Sequence, residues 1–243
     1  MGRLVKPMPE GGEALRQGSA QSSSPTPVQP DAVGAVRYEY HGPRVNRVLD
    51  LVQLSKWLVR GCPKVMPDIL KRRVVSRYAR RFRLDTFVES GTYLGAMVEY
   101  MSQHCRTIYS FEYQERLWKR ARERFAGRAG IHILLGSGAD LMQSVLAELR
   151  TPALFWLDGH FAPGTTAPHE VACPAMEELV AVLRHRPDHV ILIDDAREFR
   201  GEGGYSAVGD IANAAHSLRP GMQVEVSRDI IRITPPVLGF AGR

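Results

Sequence analysis

The sequence predicts an α/β fold with a doubly wound, mostly parallel sheet, a C-terminal antiparallel hairpin and an N-terminal helical extension. From residue 84 onward, apolar runs of strand length alternate with helix-like runs, and parallel strands require such long crossovers. The last two β-rich runs, in "MQVEVSRDIIRI", lie too close together for a crossover and indicate a hairpin. The 243 residues, 44% of them hydrophobic, suit one such domain plus an appendage.

The first 83 residues divide into two segments of different composition. Residues 1–36 are rich in Gly, Ser, Gln and Pro, so we expect a disordered tail. Residues 37–83 carry thirteen Lys or Arg against three Asp or Glu, a net charge of +10, and are predicted to form a basic helical extension. Its two helical patterns are "VNRVLDLVQLSKWLV" and "PDILKRRVVSRYARRF". One apolar face of the second consists of residues four apart: Leu70, Val74, Tyr78 and Phe82.

The remaining residues, 84–243, are predicted to form the sheet domain. Five runs predict parallel strands: "LDTFVE", "TIYSFE", "IHILL", "ALFWLD" and "HVILID". The helix-like runs that follow them cover roughly 94–104, 114–126, 138–149, 174–185 and 205–218.

Several classes of protein are disfavoured by what the sequence lacks. A membrane span needs about eighteen or more consecutive apolar residues, and no such run occurs. The N-terminus has no apolar centre typical of a secretory signal. Cys62, Cys105 and Cys173 show no metal-type spacing and resemble reduced thiols, so we expect a cytoplasmic protein.

The basic character is concentrated in residues 60–83, with nine Lys or Arg and one acid. One interpretation is contact with an anionic partner such as RNA, a phosphorylated sugar or a membrane surface. The other, which we favour, is an amphipathic helix packed on the sheet domain with a solvated basic face. No nucleic-acid-binding motif supports the first interpretation.

Ligands of open parallel sheets bind outside the carboxyl ends of the strands, so the residues that end each strand are the candidates. The first strand ends in Glu89 and continues "SGTYLG", where Gly91 permits a sharp turn near a ligand and Gly95 permits close helix packing. A plain strand-to-helix turn would have the same composition.

Glu112 ends the second strand, twenty-one residues after Gly91. An acid at this place can accept hydrogen bonds from both hydroxyls of a ribose, which we favour over a role in opening the next helix. The third strand leads into "GSGAD", where Gly136 leaves room for a flat ring. Ser137 or Asp140 could bond the edge of that ring or cap the following helix.

Four segments in this order resemble the motifs of class I S-adenosylmethionine-dependent methyltransferases: "VESGTYLGAMV", "SFEYQERLWKRARERF", "LLGSGADLM" and "WLDGH". The pattern is most similar to catechol O-methyltransferase-like, metal-dependent O-methyltransferases, and it covers residues 84–234. The resemblance implies a Rossmann-like methyltransferase fold with S-adenosyl-L-methionine as cofactor. Its cofactor-binding residues would be Glu89, Gly91, Tyr93, Gly95, Glu112, Gly136, Ser137 and Asp158.

The resemblance also gives a role to the acids that end the fourth and fifth strands. It implies that Asp158, Asp194 and Asp195 hold a divalent cation, Mg²⁺ or, with an imidazole nearby, Mn²⁺. Such a cation lowers the pKa of an acceptor hydroxyl and fixes its direction. Alternatively, Asp158 or Asp195 caps loops and helices at the sheet edge, and only one acid faces the cofactor.

One departure from the catechol-type pattern concerns the base. The lysine expected three residues after Asp158 is Phe161, and His160 is the available substitute as general base, so His160 and Asp158 are the predicted catalytic residues. The predicted reaction is O-methylation of a small-molecule or sugar hydroxyl. The signature of enzymes that methylate an adenine amine, Asn or Asp followed by Pro-Pro and an aromatic residue, is absent at the end of the fourth strand.

Two other functions remain as alternatives. A dinucleotide-dependent oxidoreductase would prefer G-x-G-x-x-G, where the second glycine admits a pyrophosphate, and Tyr93 would obstruct that group. A non-catalytic Rossmann-like module could bind an anionic partner through its basic helices. Binding of S-adenosylmethionine distinguishes these alternatives from the predicted methyltransferase.

Overall fold

The computed structural model describes residues 43–63, 65–159 and 173–236, with the side chains of the first helix from residue 48 onward. These residues belong to one compact unit, Val36–Arg243. The tail predicted over 1–36 and the predicted base His160 lie outside the described residues. Within the described part of the chain, every helix is too short or too polar to cross a membrane.

Helices and strands alternate as the sequence predicts. The helices are α1 (Pro43–Val59), α2 (Asp68–Phe82), α3 (Ala96–Met101), α4 (Glu115–Arg124), α5 (Gly138–Glu148), α6 (Ala175–Arg184) and α7 (Val208–Leu218). The strands are β1 (Thr86–Ser90), β2 (Thr107–Glu112), β3 (Ile131–Leu135), β4 (Leu154–Leu157), β5 (Val190–Ile193), β6 (Gln223–Ser227) and β7 (Ile230–Thr234). A single 3₁₀ turn follows β5 (Ala196–Glu198).

The seven strands form one sheet in the order β3-β2-β1-β4-β5-β7-β6. Strands β1 to β5 are parallel, and β7 runs antiparallel to both β5 and β6. The predicted mostly parallel sheet with a C-terminal hairpin is therefore confirmed. Because β1 lies between β2 and β4, the strand order reverses direction there, and a crevice forms beyond the carboxyl ends of these strands.

Successive residues of each strand face opposite layers of the core. Val88 packs with α5, α6 and α7 on one side, whereas Phe87 packs with α2, α3 and α4 on the other. Strands β4 and β5 are buried on both faces, which explains their uninterrupted apolar sequences. Full burial of one large apolar side chain stabilises the fold by about 1.5–3 kcal/mol, so both layers contribute substantially.

Helix α2 is part of the second layer. Val75, Tyr78 and Ala79 are its buried apolar residues, while Leu70, Val74 and Phe82 are partly buried beside them. The buried face is therefore rotated slightly from the predicted one, and Tyr78 is common to both. Exposed arginines occupy the opposite face: Arg73, Arg77, Arg80 and Arg81.

Candidate active site

The loop after β1 lies directly against the end of β4. Gly91 has a φ of +93°, and a Cβ built on it would lie 2.9 Å from the backbone oxygen of Asp158. The amides of Gly91 and Thr92 both donate to the carbonyl oxygen of Phe111, at 3.0 Å each, which ties the loop to β2 as well. Only glycine fits this conformation and contact, so the predicted sharp turn is present.

Glu89 lies beneath this loop and is 1% exposed. Its Oε1 accepts a 2.6 Å hydrogen bond from Ser110 Oγ, and Thr92 Oγ1 lies 2.5 Å from the same hydroxyl. Burial raises the pKa of Glu89 to about 8, with Asp158 and Glu112 adding to the rise and Ser110 opposing it. Such a carboxyl group favours a cationic partner, because a nearby positive charge would stabilise its ionised form.

The carboxylate of Glu112 binds both the loop after β1 and the loop after β2. Its Oε2 accepts a 2.8 Å hydrogen bond from the amide of Tyr93, and its Oε1 accepts one of 2.9 Å from the amide of Gln114. Burial raises the pKa of Glu112, although these backbone donors act against the rise. The amide of Tyr113 is a third backbone donor to this carboxylate, so one of its four acceptor sites remains for a hydroxyl.

Three other predicted cofactor residues lie in the loops after β1 and β3. Gly95 has a φ of +71°, and a Cβ there would lie 2.7 Å from the ring of Phe125, so it permits the close helix packing that we predicted. The Oγ of Ser137 accepts a 3.2 Å hydrogen bond from the amide of Asp140 and donates one of 2.6 Å to its carboxylate. Ser137 therefore caps α5, which was one of its two predicted roles, and Gly136 precedes it with a φ of +146°.

The three acids after β4 and β5 converge. Asp158, Asp194 and Asp195 each present one carboxylate oxygen, and these oxygens lie within 4.8 Å of one another; we call these three residues the aspartate cluster. Asp194 is 0% exposed, and its Oδ1 has no hydrogen-bond partner among the described residues. Burial raises the pKa of Asp194, Asp158 adds to the rise, and a lysine opposes it. Their convergence follows from the parallel strands that carry them.

That lysine is Lys71 of α2, which our sequence analysis did not identify as a site residue. Its Nζ lies 2.5 Å from Asp194 Oδ2 and 3.4 Å from Asp195 Oδ1, and its side chain is 13% exposed. Burial alone would lower the pKa of Lys71, but Asp194, Asp195 and Asp158 raise it, so the amine is a cation. The sequence does contain a signal that could have identified Lys71: it lies one turn before Val75, on the buried side of an amphipathic helix.

Glu178 is a second residue that we did not identify. It lies on α6, is 1% exposed and accepts a 2.9 Å hydrogen bond from Ser90 Oγ at the end of β1. A Cβ built on Gly138 would lie 1.9 Å from Glu178 Oε1, so the carboxyl group fills the space that this glycine leaves. Glu178 thus holds the ends of β1 and α5 together from below the crevice.

Several solved structures resemble this chain at low sequence identity. A Klebsiella pneumoniae protein assigned as an O-methyltransferase has a TM-score of 0.50 and 16% identity, covering 82% of this chain and 93% of its own. An SAH-bound methyltransferase from Podospora anserina scores 0.48 at 15% identity, covering 84% and 100%. A Staphylococcus aureus protein assigned as a caffeoyl-CoA O-methyltransferase scores 0.46 at 12% identity, covering 79% and 99%. No protein-family model and no curated protein sequence matches the chain.

The likeness to the Klebsiella pneumoniae protein, at 16% identity, shows the fold alone. The chain has the Rossmann-like fold of class I S-adenosylmethionine-dependent methyltransferases, as the sequence motifs predict.

Proposed function

We propose that this protein transfers a methyl group from S-adenosyl-L-methionine to a hydroxyl group of a small molecule or sugar. The observation that carries the proposal is the contact between the Gly91 loop and Asp158, which joins a candidate cofactor site to the aspartate cluster. A methyl donor and an acceptor hydroxyl must lie next to each other, and these two sites do.

The cofactor half of the proposal uses the residues at the ends of β1, β2 and β3. Glu89 would bind the ammonium group of the methionine part, since it is a buried carboxyl group with hydroxyl neighbours. Glu112 would accept a hydrogen bond from the ribose hydroxyls at the acceptor site that the backbone amides leave. Tyr93 and Gly95 would line the methionine part, and Gly136 and Ser137 would lie near the adenine.

The acceptor half uses the aspartate cluster. Its donors are carboxylate oxygens, which suit a hard divalent cation such as Mg²⁺ or Mn²⁺, and Asp194 Oδ1 is buried with no hydrogen-bond partner in the part of the chain that the structure describes. When bound, such a cation would supply positive charge that favours the deprotonated form of an acceptor hydroxyl. The three side chains would orient the acceptor by holding that charge beside the cofactor loop.

In the transfer step, the acceptor oxygen attacks the methyl carbon and a new carbon–oxygen bond forms. The carbon–sulfur bond breaks, its electron pair stays on sulfur, and S-adenosylhomocysteine leaves. The hydroxyl proton must pass to a base, for which we propose His160, two residues after Asp158, because imidazole titrates near neutral pH.

Calorimetric titration with S-adenosylhomocysteine tests the cofactor half. We expect the wild-type protein to bind it and Glu112→Ala to bind at least about tenfold more weakly, the loss of about 1.4 kcal/mol of binding free energy. Glu115→Gln is the matched control, since this acid lies three residues away on α4 and forms an exposed ion pair with Lys119. If the wild-type protein does not bind, or both variants bind equally well, the proposal is wrong.

Titration with NAD in the same experiment tests the oxidoreductase alternative. Tyr93, with a φ of +48° and its side chain 55% exposed, stands where a pyrophosphate-binding loop would have glycine, so we expect no heat of binding. The exposed arginines Arg73, Arg77 and Arg80 favour a second candidate, a module that binds an anionic partner. That candidate predicts no affinity for S-adenosylhomocysteine.

A further inference from the structure

The aspartate cluster contains a cation that belongs to the protein itself. Lys71 reaches from α2, 123 residues earlier in the chain than Asp194, and its ammonium group contacts two of the three acids. Its side chain is 13% exposed, whereas that of Asp194 is 1% exposed, so the contact is largely sheltered from water. Sheltered charges interact strongly because solvent and salt screen them poorly.

We propose that Lys71 and a divalent cation are alternative occupants of the aspartate cluster, so that Lys71 leaves it when the cation is bound. The inference depends on the cation site of the proposed function. Both occupants carry positive charge and bind carboxylates of the same acids, so their simultaneous presence would be opposed by repulsion in a poorly solvated space. With the ammonium group in place, the acids are held together without a metal ion.

The surrounding charges single out Lys71 as the group that moves. Arg197, the other cation at the cluster, also binds Asp229 with both its side chain and its amide, so it is held in place on two sides. Lys71 contacts the cluster through the end of a flexible four-carbon side chain, and that side chain is 13% exposed.

The backbone of α2 need not move with Lys71. Val75, Tyr78 and Ala79 remain packed against the sheet whichever way the lysine points. The exchange is therefore a change of side-chain position at the mouth of the site. We expect it to clear space beside Asp194 for an acceptor oxygen.

Amine labelling of the wild-type protein tests the exchange without a mutation. Acetic anhydride acetylates accessible lysines, and mass spectrometry of peptides measures each rate with and without Mn²⁺. We expect Mn²⁺ to speed labelling of Lys71 at least threefold and to leave Lys119, whose side chain is 60% exposed on α4, unchanged. An unchanged or slower rate at Lys71 would overturn the inference.

Calorimetric titration with Mn²⁺ gives an independent test. We expect Lys71→Met to bind Mn²⁺ at least tenfold more tightly than the wild-type protein, because the competing charge is gone. Arg77→Met removes an equal charge from the exposed face of the same helix and is expected to bind like the wild type. Equal or weaker binding of Mn²⁺ by Lys71→Met would contradict this inference and would leave the proposed function intact.

Absence of Mn²⁺ binding in every variant would instead remove the cation site from the proposed function, and this inference with it. Binding of S-adenosylhomocysteine would still test the cofactor half separately. The two failures are therefore distinguishable.

Discussion

The α-carbon of Gly91 packs so closely against the carbonyl of Asp158 that a Cβ on Gly91 would lie 2.9 Å from the oxygen. The oxygen belongs to the backbone and cannot turn aside, so Gly91→Ala must displace the β1 loop from β4. We expect a loss of roughly 1–3 kcal/mol in the free energy of unfolding for overpacking. A further loss of about 1–2 kcal/mol should come from the positive φ. Urea denaturation measures the total.

Gly127→Ala is the control for that substitution. Gly127 has a φ of +74° but no atom within 4 Å of a built Cβ, so only the conformational part of the loss applies. Binding of S-adenosylhomocysteine should also weaken in Gly91→Ala and persist in Gly127→Ala. If the two substitutions lowered stability and binding equally, the contact between Gly91 and Asp158 would contribute to neither.

The raised pKa of Glu89 predicts a pH dependence of stability. Its folded pKa of about 8 exceeds the ordinary value of 4.5, so between these values the folded protein holds a proton that the unfolded chain has lost. This group therefore makes stability fall as pH rises from about 4.5 to 8, by at most about 1.4 kcal/mol per pH unit. Glu89→Gln keeps the shape and removes the titration, so its stability relative to wild type should increase over this range.

Urea denaturation at pH 5, 6, 7 and 8 measures that difference. Glu115→Gln serves as control, because the hydrogen bond from Lys119 lowers the pKa of Glu115, and its carboxylate stays ionised throughout the range. A constant difference between Glu89→Gln and wild type from pH 5 to 8 would contradict the prediction.

The pairing of Lys71 with Asp194 predicts non-additive stability effects. Lys71→Met leaves Asp194 buried without its cation, and breaking such a pair costs about 3–5 kcal/mol when fully buried; we expect about 3 kcal/mol at pH 8 in EDTA. The double variant Lys71→Met/Asp194→Asn removes both charges and should lose less than the sum of the single changes.

The loss in Lys71→Met should also shrink at pH 5. Burial raises the pKa of Asp194, and Lys71 opposes that rise. Without Lys71 the pKa is higher still, so at pH 5 the carboxyl group is neutral and needs no partner. Thermal unfolding in EDTA at the two pH values measures the change. Additive losses that do not vary with pH would mean that the ion pair contributes nothing.

The hydrogen bond between Ser90 and Glu178 predicts a local loss of stability. Ser90→Ala removes a donor from a carboxyl group that is 1% exposed, which should lower the free energy of unfolding by about 1–3 kcal/mol. Ser144→Ala, on the exposed surface of α5, removes a hydrogen bond to the Leu141 carbonyl and should change it by less than about 0.5 kcal/mol. Urea denaturation compares the two, and equal losses would contradict a structural role for Glu178.

The fold was predictable because its signals are local. Alternation of apolar strands and amphipathic helices defines the parallel sheet, and the short link between β6 and β7 defines the hairpin. The meeting of Asp158 with Asp194 was predictable too, since carboxyl ends of neighbouring parallel strands share one edge. Their role toward a metal ion stays a prediction.

Lys71 and Glu178 were not predicted because each depends on a contact distant in sequence. Lys71 stands in a run of basic residues, most of which are exposed, so its charge looked ordinary. Glu178 had a clearer signal: with Ala175, Leu179 and Val182 it forms the buried face of α6 at spacings of three, four and seven residues. An acid on such a face needs a buried partner, and the identity of that partner, Ser90, is set by tertiary packing.

The 123 residues between Lys71 and Asp194 also bear on how the chain is synthesised. A ribosome adding 5–20 residues per second would need about 6–25 s to produce Asp194 after Lys71. During that interval neither Asp194 nor Asp195 is present to pair with Lys71. The ion pair can therefore close only after the last parallel strand has been synthesised, and it joins α2 to the end of that strand.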